Sequence, residues 1–432
     1  MKSKSVYLVG LFVLFSSMLY TGVNPVVGKS SESVGATQNG VVMLWNSSMM
    51  AYDVAVSKDG NYIAAVNNTG IYYFASTNST PKWWHSPSNT FISVAISADG
   101  ECVVAGDNNG RIHYFNYSTA ITGERLSSAW NSTYMFGSVE RGTLDISDDG
   151  EYVAIGGTGP NMYYYANCSA RTGSNQNATW TDFIPREVLA VHISPDGKYV
   201  AAGGTTYSFG GFVAFYKDAN STPYPTEPNW YAASSINSSI RDLAVSDDGY
   251  AVVAIDNAYS LRYWANATSL SGDPNATWTA DGYFFSLDIS SDGDEVIGGM
   301  GLPMPCGLHF WTGARVRSGS NQTEDWIRFE GSIVWDVAIS NDGGIIAASV
   351  ENASSYKALF FESDGTMIGE FDLLESSPFV SMSGDGSLVA VAGLGFDSLY
   401  VFVPEFSSFL ILPLFMITTL LAVIVYRRKH SI

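Results

Sequence analysis

The chain has 432 residues, of which only 14% are charged and 14% aromatic, and its formal net charge is -20. A chain this acidic and this poor in Lys and Arg is repelled by phosphate backbones, which argues against a nucleic-acid partner. Its three cysteines, Cys102, Cys168 and Cys306, form no CxxC pair, and its five histidines have no metal-ligand spacing, so neither a metal centre nor a cofactor is implied.

Residues 1–28 read as a secretory signal peptide, with Lys2 and Lys4, an apolar run from Val6 to Tyr20, and small residues up to Gly28. A linker, 29–40, follows. From 41 to 404 one unit recurs. A short apolar strand ends in Ser, as in "DVAVS" from Asp53. Next come an Asp-Gly pair, a second apolar strand such as "YVAAGG" from Tyr199, and an aromatic third strand such as "IYYF" or "LRYW". A looser segment then leads to a Trp that opens a fourth strand.

The Asp-Gly pairs begin at Asp59, Asp99, Asp149, Asp196, Asp248, Asp292, Asp342 and Asp385, spaced 40 to 52 residues apart. That is the length of a propeller blade. Gly supplies the positive φ that a tight hairpin turn needs. A calcium loop would need further oxygen ligands at alternate positions, which "SPDGKY" and "SKDGNY" lack. The pairs are therefore read as turns.

The Trp column is Trp84, Trp130, Trp180, Trp230, Trp278 and Trp326, with Phe371 in the equivalent place and Trp45 ahead of the first unit. One Trp per unit points to packing between units. Trp83, Trp335 and Tyr231 fall outside the column and are freer for ligand contact. The last unit ends at "LYVFV" without a fourth strand, and "VVMLW" from Val41 supplies one. The predicted fold is all-β, an eight-bladed β-propeller whose N-terminal strand closes the last blade.

The innermost strands face the ring axis and carry Asp53, Asp145, His192, Asp242, Asp288 and Asp336. Two readings stay open. The carboxylates line a channel mouth and bind a ligand, or each one hydrogen-bonds a neighbouring blade.

Thirteen Asn-X-Ser/Thr sequons begin at Asn46, Asn67, Asn78, Asn116, Asn131, Asn167, Asn177, Asn220, Asn237, Asn266, Asn275, Asn321 and Asn352. On an exported chain they predict a glycosylated surface. At the C-terminus, within residues 405–426, Phe406 to Tyr426 is an apolar span long enough to cross a bilayer, and residues 427–432 begin with a basic Arg427-Arg428-Lys429 tail. The membrane is therefore an expected partner, with the propeller outside the cell.

Two resemblances attach to these residues. The segment "SPDGKYVAAGG" and the Trp column resemble the WD-repeat-like and quinoprotein-like β-propellers over roughly 39–404. The usual closing Trp-Asp pair is absent. So is the adjacent cysteine pair of the quinone-cofactor dehydrogenases. Pro404-Glu405-Phe406, followed by the apolar span and basic end, resembles the archaeal Pro-Glu-Phe C-terminal sorting signal. That resemblance implies processing by a sortase-like enzyme and anchoring at the cell surface.

There is no Gly-x-Ser-x-Gly elbow and no catalytic constellation. The expected function is a surface-anchored binding or scaffolding module for an envelope, glycan or protein partner. The alternative is an extracytoplasmic enzyme, either a quinoprotein-like oxidoreductase or a carbohydrate-active one.

Overall fold

A computed structural model describes residues 37–404, apart from 39, 87–88, 126, 134–136, 185–186, 207–209, 302–305, 330, 353–354, 375, 377 and 395–398. The expected signal peptide, most of the expected linker, the apolar span, the basic tail, and Glu405 and Phe406 lie outside the described residues. Pro404 ends the last strand, opposite Val41. Among the described residues no helix is long and apolar enough to cross a membrane.

Eight antiparallel sheets of four main strands each form the propeller, with short extra strands on three of them. The innermost strands of blades 1 to 8 are Asp53–Val56, Phe91–Ile96, Leu144–Ile146, Glu187–Ile193, Ile240–Val245, Phe284–Ile289, Ile333–Ile339 and Phe379–Met382. Val41–Ser47 pairs with Leu399–Pro404 and completes blade 8, as the unpaired "VVMLW" predicts. Thr37–Gln38 adds a short strand beyond it. Closing the ring between its two ends leaves no seam at which the sheets could part.

The strands run up and down, so each blade has two ends. We call the face where the innermost strands begin the upper face. The Asp-Gly turns and the linkers between third and fourth strands leave from the lower face.

Each Asp-Gly pair is a turn. The Ser that ends the innermost strand donates its hydroxyl to the Asp Oδ1 at 2.6 to 2.8 Å in all eight blades. The following Gly has φ between +67° and +74° in every case. A side chain is strained there, and at Gly197 a Cβ would also stand 2.2 Å from the Tyr152 ring of the preceding blade.

The turns also bond to one another around the lower rim. Ala98 N–H donates to the Asp148 carbonyl, Asp148 to Pro195, Asp247 to Ser291, Ser291 to Asn341, Asn341 to Gly384, and Gly384 to Lys58. Asp59 N–H reaches Ala98 in the same way. The circle lacks a donor at Pro195, because proline has no N–H.

The hydrophobic clusters lie between blades. One joins Tyr164 of blade 3 to Val188 and Phe212 of blade 4, and another joins Tyr263 of blade 5 to Phe284 of blade 6. The Trp column belongs to these clusters. The indole Nε1 of Trp45, Trp83, Trp130, Trp180, Trp230, Trp278 and Trp326 each donates to a backbone carbonyl of the next blade at 2.7 to 3.1 Å. A buried indole thereby keeps its one donor satisfied while its ring fills the interface.

Two positions in the column differ from the sequence reading. Trp83, not Trp84, is the column residue of blade 1. It is fully buried and pairs with Tyr73, whereas Trp84 pairs with Tyr72 and is half-buried. Adjacent residues on a strand face opposite ways, so only register could choose between two neighbouring tryptophans. In blade 7 the slot opposite Phe360 holds Gly369. Phe371 pairs with Ala358, two residues further along, and packs on Phe402.

Candidate functional site: the axial channel

The six candidate axial residues divide between two levels. Asp53, Asp242 and Asp336 stand four residues before the terminal Ser, near the upper face, and line a cavity of about 480 Å³. Asp145, His192 and Asp288 stand two residues before that Ser and line a lower cavity of about 240 Å³. The sequence treats them as one column, but two residues of strand rise, roughly 7 Å, set them at two levels that line different cavities.

Each of the six hydrogen-bonds the next blade. Asp53 Oδ2 accepts the Val94 N–H at 3.0 Å, and Asp145 Oδ2 accepts that of Ile193 at 2.9 Å. His192 Nδ1 accepts from Val245 at 3.1 Å, which places the proton of the neutral ring on Nε2. Asp242 accepts from Leu287 at 3.0 Å, Asp288 from Ile339 at 2.9 Å, and Asp336 from Val380 at 2.9 Å. The Ser381 hydroxyl accepts from Val56 at 3.0 Å and carries the series across the closure. The other oxygen of each Asp accepts the N–H of its own following residue. Seven of the eight blade interfaces are latched in this way, so the second of the two readings describes what these groups do inside the ring.

Two cations that the sequence reading did not single out complete the channel. Arg141, in the segment leading into blade 3, lies across the upper cavity. Its Nε reaches Asp53 Oδ1 at 3.3 Å, its Nη2 pairs with Asp336, and its guanidinium lies 4.4 Å from the Phe379 ring centre. One side chain thereby ties blade 3 to blades 1, 7 and 8. At the lower mouth Lys58 Nζ reaches Asp148 at 2.9 Å and Asp247 at 3.9 Å.

Burial raises the carboxyl pKa values here. It pushes Asp242 and Asp288 to about 7, against the stabilising N–H groups of Leu287 and Ile339. It raises Asp53 and Asp145 as well, opposed by Arg141 and His192 respectively. Burial disfavours the charge on Arg141, but Asp336 and Asp53 more than offset it, so the guanidinium stays protonated.

The upper cavity has a wall that strand periodicity conceals. In blades 5, 6 and 7 the pairing between the first and second strands skips one residue, and the skipped residues are Arg241, Phe285 and Trp335. Ile92 and Leu189 are skipped in the same manner in blades 2 and 4. A bulge of this kind re-aims a side chain. All five residues stand five positions before the terminal Ser. The column was legible by counting, but nothing in an alternating strand pattern marks a bulge.

Trp335, one of the three aromatics set outside the column, lines this wall. Tyr231 stacks on Phe212 at 5.4 Å and borders a groove of about 440 Å³ on the outer edge, beside Asp182 and Phe183. Trp83 is the buried column residue already described. Cys102, Cys168 and Cys306 are buried with no disulfide between them, and burial raises the Cys102 thiol to about 11. Among the described residues no three of His, Cys, Asp or Glu converge as a metal site.

No protein-family model matches the chain, and no curated protein matches it. Among solved structures the chain is similar to the C-terminal WD40 domain of Sif2, at 13% identity and a TM-score of 0.63, over 85% of this chain and all of that one. At that identity the likeness is one of fold, and the fold here is a WD40-like β-propeller closed in eight blades.

Proposed function

We propose that this protein is an exported, surface-anchored and glycosylated propeller that acts as a binding or scaffolding module through its upper face. The observation that carries this reading is the contrast between the ends of the channel. The lower rim is a repeated structural ring, whereas the upper cavity opens through a wall of bulged, half-buried or exposed side chains. The axial carboxylates, the groups best suited to acid–base chemistry, are held in blade-to-blade hydrogen bonds.

The distribution of sequons agrees with this orientation. Asn78, Asn116, Asn167, Asn177, Asn220, Asn266, Asn275 and Asn321 all lie in linkers between third and fourth strands, which leave from the lower face. Asn237 and Asn352 lie at the upper face, as does Asn67. Asn67 is buried, its Nδ2 donates to Met50 and its Oδ1 accepts from Thr69 and Gly70, so its amide works as a turn cap. Asn46 and Asn131 lie in fourth strands, on the outer edge. Sugars on the lower-face sites would leave the upper cavity uncovered.

Mass spectrometry of the native protein tests the reading. Glycopeptides should concentrate on the lower-face asparagines, and the N-terminal segment through about Gly28 and the C-terminal "YRRKHSI" should both be missing. Recovery of an intact tail would overturn the sorting-signal part. Unmodified lower-face sequons would overturn the glycosylated part.

A further inference from the structure

We propose that the upper cavity binds an acidic saccharide, with Arg241 gripping its carboxylate. The inference rests on the binding reading above and names the ligand class.

Three successive bulges build one stack. Phe285 lies between Trp335, whose ring centre is 5.1 Å away and only 13° off parallel, and the Arg241 guanidinium, 4.6 Å from its ring centre. Tyr283 meets Phe285 edge-on at 5.1 Å, and the Arg241 Nη1 reaches the Tyr283 hydroxyl at 3.4 Å. Trp335 is itself fixed by donating Nε1 to Glu351 at 2.9 Å. Arg241 is therefore held over the ring of a braced aromatic pair. It is exposed, and among the described residues no carboxylate lies within ion-pair distance of it.

A flat, weakly hydrated guanidinium presents a two-pronged donor edge that matches a carboxylate. Arg141 differs, because Asp53 and Asp336 already neutralise it. The rest of the lining selects a polyol. Asp242 accepts only the N–H groups of Leu243 and Leu287 and keeps acceptor capacity for a hydroxyl group, whereas Asp53 and Asp336 are already filled by backbone N–H groups, the Ser93 and Ser286 hydroxyls and Arg141. Trp335 and Phe379 line the same cavity and offer rings to the C–H face of a sugar. The volume of about 480 Å³ falls in the range of roughly 300–1,000 Å³ typical of small-ligand sites. An acidic peptide would bring several charges against these three carboxylates and a chain of net charge -20, whereas a sugar acid brings one charge beside many hydroxyls.

Bulge placement adds an independent argument. Bulges are concentrated at sheet edges and beside functional sites, where they re-aim side chains. Here three consecutive ones bring a cation and two aromatic rings to one sector of the rim. Across the channel, in blades 1 to 3, the corresponding positions hold Tyr52, Ile92 and Gly142.

The test is calorimetric titration of the full chain with three probes: a glucuronate-terminated disaccharide, its methyl ester, and the neutral glucose analogue. The acid should bind at least tenfold more tightly than either neutral probe. Arg241→Gln should remove that preference, Arg241→Lys should restore part of it, and Trp335→Ala should weaken all three probes together. An unchanged melting temperature for Arg241→Gln separates lost binding from lost folding.

Equal binding of acid and ester, or full acid preference in Arg241→Gln, overturns the inference and leaves the binding reading standing. Binding that survives Trp335→Ala but is lost in Phe183→Ala moves the ligand to the outer groove and also overturns it. Retention of no probe, together with capture of a stable partner by the lower face, overturns both readings.

Discussion

The two rims of the channel are made from the same eight repeats, yet they obey different rules. On the lower rim every blade repeats one Ser–Asp–Gly turn, with one φ range and one hydroxyl–carboxylate bond, and the turns join in a backbone circle. On the upper rim the residue five before the terminal Ser is, in order, Tyr52, Ile92, Gly142, Leu189, Arg241, Phe285, Trp335 and Pro378. Repetition marks positions where each blade meets the same neighbour. Divergence marks positions that no repeated inter-blade contact constrains, which is where the proposed ligand would sit.

The comparison breaks most sharply if the lower-rim and interface positions prove tolerant. Trp130→Ala removes a buried ring and its bond to the Cys168 carbonyl, and should cost about 3–5 kcal/mol in chemical denaturation. Gly197→Ala forces a methyl onto Tyr152 at positive φ and should cost about 2–4 kcal/mol. A loss below 1 kcal/mol in both would mean that the repeated features do not hold the ring.

Arg141 is the intermediate case, since it belongs to the upper cavity but is ion-paired. Arg141→Gln leaves Asp53 and Asp336 uncompensated and should cost about 1–3 kcal/mol, less than for a fully buried pair because the side chain is 38% exposed. Adding Asp336→Asn should recover part of that loss. Strict additivity of the two changes would show that the pair is not coupled.

The axial carboxylates predict a pH dependence of defined sign. Asp242 and Asp288 titrate near 7 in the folded ring and near 4 when unfolded, so the folded state binds more protons between those values. Their ionisation destabilises the ring as pH rises toward 7, and stability returns as pH falls. The melting temperature of the native chain should gain on that of an Asp242→Asn/Asp288→Asn variant between pH 8 and pH 6. His85, whose pKa burial lowers, contributes the opposite slope to both proteins and drops out of the difference. Parallel pH curves would refute the raised carboxyl pKa values.

The smallest effect on stability belongs to the upper wall. Trp335→Leu should change stability by no more than about 1 kcal/mol, because the indole is only half-buried at a bulge. A larger loss would place Trp335 with the architectural tryptophans and erase the contrast between the rims.

The blade count, the closure by "VVMLW" and the nature of the Asp-Gly turns follow from the sequence, because each repeats wherever a blade meets its neighbour and local chemistry dictates it. Ser, Asp and Gly at fixed offsets make the same turn in any blade, and a missing fourth strand must be supplied from the other end of the chain. Tertiary structure alone decided what register and strand direction control. It chose Trp83 over Trp84, set six axial residues at two levels, ran Arg141 across the channel from a segment outside the repeat, and stacked Arg241, Phe285 and Trp335 through bulges. A bulge shifts a side chain by one residue without changing composition, and an ion pair between blades 3 and 7 joins residues 195 positions apart, so neither leaves a periodic trace in the chain.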